Sequence, residues 1–467
     1  MIKQPQPVIA IFDIGKTNKK LFLFDDDYKI VHERCVKFDE ITDEDGMPCE
    51  DLARLRQWVT ISLQDALSLP DFEIKAVNFA TYGASLVYID EQGAPLTQLY
   101  NYLKPFPDEL KERFYSTYGD EDQLAEQTAS PALGSLNSGF QLYRFKHEQP
   151  ELFERMQYAL HLPQYMSYLL TAKPATDMTS IGCHTALWNF ADDQYHDWIY
   201  AEGLEDKLAP ILPGDKIFDT TFHDHNIKTG IGLHDSSSAL IPYLVSFNEP
   251  FVLLSTGTWN ICLNPFDHTP LTAEALHNDC LNYIQYEGLP VKASRLFAGH
   301  ECEVQTQRIA KHFGQSADKY QNIAFDTDLV NQLNKKVPVE ADQNGNVNPI
   351  AFNDRDLEQF ANDIEAYHQL LIDIMQQQTA SIKWVMNGAP VKHIFVDGGF
   401  SKNRVFMQLM SMAYPDIKVC AASVAQATAL GAALSIHQHW NSKPQPNGLI
   451  AIKQYSVIAD DAIKMTT

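Results

Sequence analysis

The stretch Val8 to Phe24, Val-Ile-Ala-Ile-Phe-Asp-Ile-Gly-Lys-Thr-Asn-Lys-Lys-Leu-Phe-Leu-Phe, constrains the fold more than any other. Two apolar runs enclose Asp13, Gly15 and Thr17, a pattern that predicts a β-hairpin with a polar, glycine-containing tip. Gly15 lets the backbone approach a ligand, Thr17 and Asn18 supply donors, and Asp13 sets a carboxylate beside them. That chemistry suits a nucleotide phosphate and its Mg²⁺, and the plain alternative is a turn between two strands. A Walker A loop does not fit. Gly15-Lys16-Thr17 has its ending, but Ala10 stands where glycine is required and Leu21 to Phe24 read as strand, not helix.

The same design returns at Phe251-Val-Leu-Leu-Ser-Thr-Gly-Thr-Trp-Asn-Ile-Cys-Leu263. Laid on the first hairpin, Ser255 falls on Asp13, Gly257 on Gly15 and Thr258 on Lys16. An internal echo of this kind implies two related domains facing each other across one phosphate chain. A chain of 467 residues also exceeds what one core organises, and 45% apolar residues suffice for two. The division falls at residues 1–245 and 246–467. A net charge of −24, from 36 Lys plus Arg against 60 Asp plus Glu, repels nucleic acid and anionic membranes. The seven cysteines are odd in number, widely spread and without a Cys-x-x-Cys pair, as expected of reduced thiols in a cytoplasm. No basic start with an apolar core precedes residue 8, and no run approaches the roughly 18 apolar residues that span a bilayer. A homodimer is left open.

Between the hairpins, residues 29–37 predict a third antiparallel strand, 52–67 a helix and 74–80 a strand that delivers Thr81-Tyr82-Gly83-Ala84-Ser85 to its end. Open α/β sheets place ligand contacts there, although a bare turn fits equally. Asn101-Tyr102-Leu103-Lys104-Pro105 follows, and Pro107 opens a helix with Asp108 and Glu109 in its first turn, ending near Gly119. Residues 137–146 and 156–170 both carry apolar residues at helical period and predict a helical insertion beside the sheet. Residues 176–182 read as a loop holding a helix start, and 192–200 as polar and aromatic surface. His223 and His225 lack a third ligand nearby and are expected to face solvent. The segment 231–240 is different: a glycine-bearing apolar strand ends on Asp235, followed by Ser236-Ser237-Ser238. Asp235 is either an N-cap or a general base at a cleft. In the second half, 331–353 reads as a loop, and Phe360, Ile364, Tyr367, Leu371, Ile374, Ile382 and Val385 follow one helical face that Gly388 and Pro390 end. Ile394 to Asp397 predicts a buried strand running into Gly398-Gly399 and a helix over 401–412, either a nucleotide cradle or a tight turn. The small residues of 425–433 predict a helix packed very close to a sheet.

These signals together resemble the FGGY family of carbohydrate kinases over essentially the whole chain. Asp13-Ile-Gly-Lys-Thr-Asn is similar to the family's first phosphate motif, Ser255-Thr-Gly-Thr-Trp to its second, and Asp397-Gly-Gly-Phe-Ser-Lys-Asn403 to its adenosine motif. His234-Asp235 stands where the family carries its catalytic aspartate. The resemblance implies an α/β fold of two ribonuclease-H-like (actin-like) domains, with ATP and sugar in a central cleft. It implies Asp13 toward Mg²⁺, and Gly15, Lys16, Thr17, Asn18, Gly257, Thr258, Gly398, Gly399 and Asn403 toward ATP. Gly83, Ser85, Asn101, His234 and Asp235 are implied toward the sugar, with Asp235 as base. The flavour is that of rhamnulose and fuculose kinases, in Asn137-Ser-Gly-Phe-Gln-Leu142, the Gly-Thr-Trp tip and His-Asp-Ser-Ser-Ser-Ala. Three departures stand out: Gly83-Ala84-Ser85 replaces Gly-Val-Asp, Asn101-Tyr102 replaces an Arg-Asp pair, and Lys16 replaces a small residue. A 6-deoxyketohexose or a ketopentose is the expected substrate. An actin-like ATPase and a catalytically idle sugar-binding regulator are the alternatives.

Overall fold

The computed structural model describes residues 4–336, 351–386, 390–446 and 448–456. The first sheet contains β1 (Gln6–Ile14), β2 (Lys19–Asp25), β3 (Ile30–Val36), β4 (Phe72–Thr81), β5 (Ile217–Phe222), β6 (His225–Gly230) and β7 (Leu233–His234), with α1 (Leu52–Leu67) between β3 and β4. Its order is β5-β6-β4-β1-β2-β3, and β7 also pairs with β4. After α2 (Asp235–Ser246) the second sheet is built from β8 (Phe251–Thr256), β9 (Asn260–Asn264), β10 (Cys280–Ile284), β11 (Pro290–Leu296), β12 (His393–Gly398), β13 (Lys418–Ser423) and β14 (Ala451–Tyr455), in the order β10-β11-β9-β8-β12-β13-β14.

Both sheets have one nucleus. Three antiparallel strands, β3-β2-β1 in one and β11-β9-β8 in the other, continue through a parallel neighbour, β4 or β12. The echo in the sequence is therefore an echo in topology. The two tips differ by one residue. Ile14 pairs with Lys19 across four loop residues, whereas Thr256 pairs with Asn260 across three.

The continuous apolar runs follow from burial on both faces. Val8, Ala10, Phe12 and Ile14 of β1 pack with Leu52, Leu55, Val59 and Leu63 of α1. Ile9 and Ile11 pack on the opposite face with Ala429, Leu430, Ala432 and Ala433 of α6 (Ala427–Ser435). In the second sheet Val252 and Leu254 meet α4 (Asp363–Val385) and α5 (Arg404–Ala413), while Leu253 and Phe395 meet Leu240 and Tyr243 of α2. Helices α2 and α6 thus lie between the sheets. They touch each other closely: a Cβ at Gly431 would sit 1.8 Å from the Ser238 carbonyl oxygen.

Several expectations need correction. Residues 156–170 are not one helix: Tyr158–His161 is a strand paired with Leu86–Ile89, and the helix is Leu162–Thr171. Pro163 lies in that helix's first turn, where its missing N–H would have no helical partner in any case. Residues 192–200 are not all surface, because the short helix Asp197–Ala201 turns Trp198 and Ile199 fully inward. Thr327–Lys336 is helical where a loop was expected from 331, and 337–350 lie outside the described residues, as does Gly388. Phe360 precedes its helix. The helix expected from Ser401 starts at Arg404, after a short 3₁₀ turn. His223 and His225 are exposed at the turn between β5 and β6. No described helix is long and apolar enough to cross a membrane.

Candidate active site

Strand pairing brings the N-terminal candidates together. Ile14 of β1 and His234 of β7 are both partners of Thr81 at the end of β4, so the first tip and the His234-Asp235 step flank one strand end. Two strand spacings separate them, about 10 Å. The charges of Asp13 and Asp235 feel each other: burial, then the Asp235 carboxylate, push Asp13 up to about 6, and Lys20 opposes them. The Asp13 carboxylate accepts no hydrogen bond from any described residue, which fits a group that ligates a divalent cation. Gly15 N–H donates to the Asn18 carbonyl at 2.9 Å, closing the tip, and Thr17 is exposed on it. Lys16 is paired with Glu40 at 2.8 Å, and the same Glu40 oxygen accepts from Asn101 at 3.3 Å.

Asp235 opens α2 but is not its N-cap; that position is His234, which makes no side-chain cap bond. The Asp235 side chain is 33% exposed, its Oδ1 accepting from Ser236 N–H at 2.6 Å. Burial raises its pKa to about 6. His234 lies beside it, buried, with Nε2 at 3.2 Å from both Asp235 Oδ1 and Cys183 Sγ. Burial lowers the imidazole to about 3, so it is neutral. Its Nδ1 has no partner, which puts the one proton on Nε2, donating toward Asp235. The ring stacks at 5.6 Å on Tyr283, a residue of β10 in the other sheet. Gly83 is required here, since a Cβ would come within 2.7 Å of His234 Cδ2. Ala84 is held at φ +60°, a conformation costly for a residue with a Cβ, and its carbonyl accepts from Gln141 at 2.5 Å. Ser85 is 1% exposed and donates to the Tyr100 carbonyl at 3.4 Å, so its side chain turns into the protein.

The second tip and the adenosine motif share a row: Ser255 pairs with Asp397 and Thr256 with Gly398. Thr256 knits them, with its carbonyl accepting from Gly399 N–H at 2.9 Å and its hydroxyl oxygen from Phe400 N–H at 3.0 Å. Gly398 has φ +87°, and a Cβ there would lie 1.9 Å from the Thr256 carbonyl oxygen. Gly257 and Thr258 are exposed, and the Thr258 carbonyl accepts from His300 N–H at 3.1 Å in the first turn of α3 (Ala298–Phe313). Asn403 caps α5 through Phe406 N–H at 3.1 Å and donates to the Tyr367 hydroxyl at 2.8 Å, so both ends of its amide serve the fold.

Sequence reasoning missed four contributors. Lys20 is the cation nearest in effect to Asp13, and its ammonium reaches Gln426 at the start of α6 at 3.0 Å. Gln141 lay inside a quoted motif, yet its task of holding the Ala84 and Ser135 carbonyls had no local signal. Gly299 leaves room for the second tip, where a Cβ would lie 1.8 Å from the Gly257 carbonyl oxygen. Tyr283, apolar in context, reads as a strand residue only.

Two polar hairpin tips, a glycine-rich strand end and a half-buried carboxylate on a helix start are the candidate nucleotide and acceptor groups of this fold. Residues 8–241 match the FGGY family of carbohydrate kinases, N-terminal domain, and 248–445 match the carbohydrate kinase FGGY, C-terminal domain. The chain belongs to the FGGY family of carbohydrate kinases. It is a phosphotransferase with an alcohol acceptor, in a family that uses ATP. Among curated relatives, a rhamnulokinase of Oceanobacillus iheyensis is 22% identical over 431 residues, 86% of this chain and 87% of that protein. A rhamnulokinase of Bacteroides thetaiotaomicron is 27% identical over 227 residues, 46% of this chain and 45% of that one. Among solved structures, a carbohydrate kinase from Novosphingobium aromaticivorans has a TM-score of 0.78 at 20% identity, covering 97% of this chain and 95% of its own. A ligand-bound xylulose kinase from Lactobacillus acidophilus has a TM-score of 0.76 at 17% identity, covering 97% and 94%. The expected α/β fold of two related domains agrees with these folds, and the structure adds that each sheet is mixed.

Proposed function

We propose that this kinase transfers the γ-phosphate of ATP to a hydroxyl of a ketose, a 6-deoxyketohexose or a ketopentose, with Asp235 as general base. The observation that carries the reading is Asp235 itself: a partly exposed carboxylate, raised by burial to about 6, at a strand end beside neutral His234. A sugar hydroxyl is a poor nucleophile at neutral pH, and a positioned base contributes about 10²–10⁴-fold. Positioning and charge stabilisation supply the rest, because the phosphoryl group passes through a loose transition state. Asp13 would hold a Mg²⁺, which when bound neutralises charge on the phosphates. Gly15, Lys16, Thr17 and Asn18 from one tip, and Gly257 and Thr258 from the other, would take the phosphate chain. Gly398, Gly399 and Asn403 would lie on the adenosine side, the last through its backbone given its amide bonds. Gly83, Asn101 and His234 would form the acceptor pocket, with Ser85 behind it, its hydroxyl held on the Tyr100 carbonyl.

The substrate class is argued from what is missing: where charged groups are usual stand Ser85, turned inward, and Asn101, held on Glu40, and a pocket with fewer polar demands loses less when a sugar lacks a hydroxyl. Rhamnulokinases and xylulose kinases among the relatives support a ketose.

An ADP-release assay over a panel of ketoses and polyols tests the reading. Turnover with a ketose is expected. Turnover only with glycerol or an aldohexose would refute the substrate class, acceptor-independent hydrolysis would mark an ATPase, and sugar binding without turnover an idle regulator. Asp235→Asn should lower kcat by about 10²–10⁴-fold with ATP binding unchanged. A variant that loses stability but keeps its kcat would make Asp235 a helix residue only. In the wild type kcat/KM should fall below pH about 6, as Asp235 takes up its proton.

A further inference from the structure

The first tip has a support that no family likeness assigned. Lys19, the first residue of β2, is 1% exposed, and Glu50 facing it is 4% exposed. The Lys19 ammonium has three acceptors for its three protons: Glu50 Oε1 at 2.9 Å, Glu50 Oε2 at 2.9 Å and the Lys16 carbonyl at 2.9 Å. Phe38 closes over it, its ring centre 5.7 Å from Nζ. Burying a lysine and a glutamate is costly and often no better for stability than an apolar pair, so the pair is poorly explained by stability alone. What an apolar pair could not do is grip a backbone carbonyl of the tip. The Glu50 carboxylate in turn helps to hold the phenol of Tyr82, the residue before Gly83, protonated, and the Glu50 backbone N–H donates to the Leu99 carbonyl at 3.3 Å, two residues before Asn101.

We infer that Lys19 is a positioning residue for the nucleotide: from beneath the hairpin its ammonium fixes the Lys16 carbonyl, which orients the tip's N–H groups toward the phosphates. This rests on the reading of that tip as a phosphate site. Through the Glu50 backbone the same ammonium ties the tip to the segment that carries Asn101, so the donor and acceptor sides of the reaction share one buried anchor. Lys16 itself, on the outer side, keeps its side chain on Glu40 and is left to exchange that exposed partner for a phosphate.

The test separates anchoring from stability. Lys19→Met alone strands a buried carboxylate and should destabilise the fold. Lys19→Met/Glu50→Leu removes both charges and should recover the melting temperature, yet still leave the Lys16 carbonyl unheld. Its affinity for Mg-ADP, by isothermal titration calorimetry, should be about tenfold weaker than wild type, a loss of about 1.4 kcal/mol. A merely structural pair predicts that binding recovers with stability, and wild-type affinity in the stable double variant would overturn the proposal. Lys19→Gln is the second variant, should the double one not fold. It still donates to Glu50 but is too short to reach the Lys16 carbonyl as well, so the same loss is expected and unchanged affinity again overturns the inference. Wild-type protein that binds no Mg-ADP would instead overturn the phosphate-site reading and this inference with it.

Discussion

Two carboxylates, Asp13 and Asp235, carry opposite tasks in the proposed chemistry, and the fold raises both to about 6. Desolvation is the main cause in each, with mutual repulsion added at Asp13. A carboxyl raised above its unfolded value of 3.8 favours the native state while protonated. That contribution is present below pH 3.8 and is lost as pH rises through about 6. At pH 8 both groups are therefore held charged against the preference of the fold. Asp13→Asn should raise the melting temperature at pH 8, change it little at pH 3.5, and abolish turnover. Differential scanning fluorimetry at the two pH values, beside the ADP-release assay, checks both halves. Activity within about threefold of wild type at saturating Mg²⁺ would remove Asp13 from the metal-holding role. The buried histidines His161, His184 and His234, each lowered to about 3 by burial, act with the opposite sign. Their contribution is lost as pH falls below 6.5, by about 1.4 kcal/mol per pH unit each.

At the scale of elements, the contact between α2 and α6 decides whether the halves fit. The α6 sequence Ala-Thr-Ala-Leu-Gly-Ala-Ala-Leu-Ser presents small residues to α2, and the Ser238 hydroxyl donates to the Thr428 carbonyl at 2.8 Å. Gly431→Ala would force the helices apart at a backbone contact that cannot yield, costing about 1–3 kcal/mol as an overpacked core does. Chemical denaturation of the variant measures this, and an unchanged midpoint would show that the interface has slack. The small-residue pattern was legible because it is local, and so were both hairpins and α1, whose apolar spacing admits one reading. Residues 156–161 were not. Four residues of strand next to an amphipathic helix look helical until Leu86–Ile89 is known to need a partner, and that pairing spans some seventy positions. The candidate site divides the same way. Asp13, Gly83, Asp235 and Gly398 stand at the ends of recognisable strands, whereas Lys19, Lys20, Gln141 and Gly299 act through partners remote in sequence or on another element.

For the molecule as a whole, the two sheets meet along α2 and α6, and their apolar faces are continuous with those helices. Asn78 of β4 donates to the Ala432 carbonyl at 2.9 Å, and Ser237 of α2 to the Ile284 carbonyl at 3.0 Å, so bonds cross between the halves as well. A contact of this density resists sliding, while the phosphate tips carry exposed residues, Thr17 on one and Gly257 and Thr258 on the other. In the proposed complex both tips grip one ATP, and we predict that they approach each other to do so. The predicted motion is a rotation about the packed α2–α6 contact, a hinge in which the shared core persists and the mouth narrows. Closure of this kind excludes water, which would otherwise compete with the sugar for the γ-phosphate. Small-angle scattering should therefore give a smaller radius of gyration with Mg-ADP and the acceptor sugar together than for the free protein. A nucleotide alone should give less of that change, since in the proposed complex acceptor contacts from Gly83 and His234 complete the closed form. Identical scattering in all three states, at ligand concentrations shown by calorimetry to saturate, would rule out a closing hinge and leave two tips that meet the nucleotide without moving.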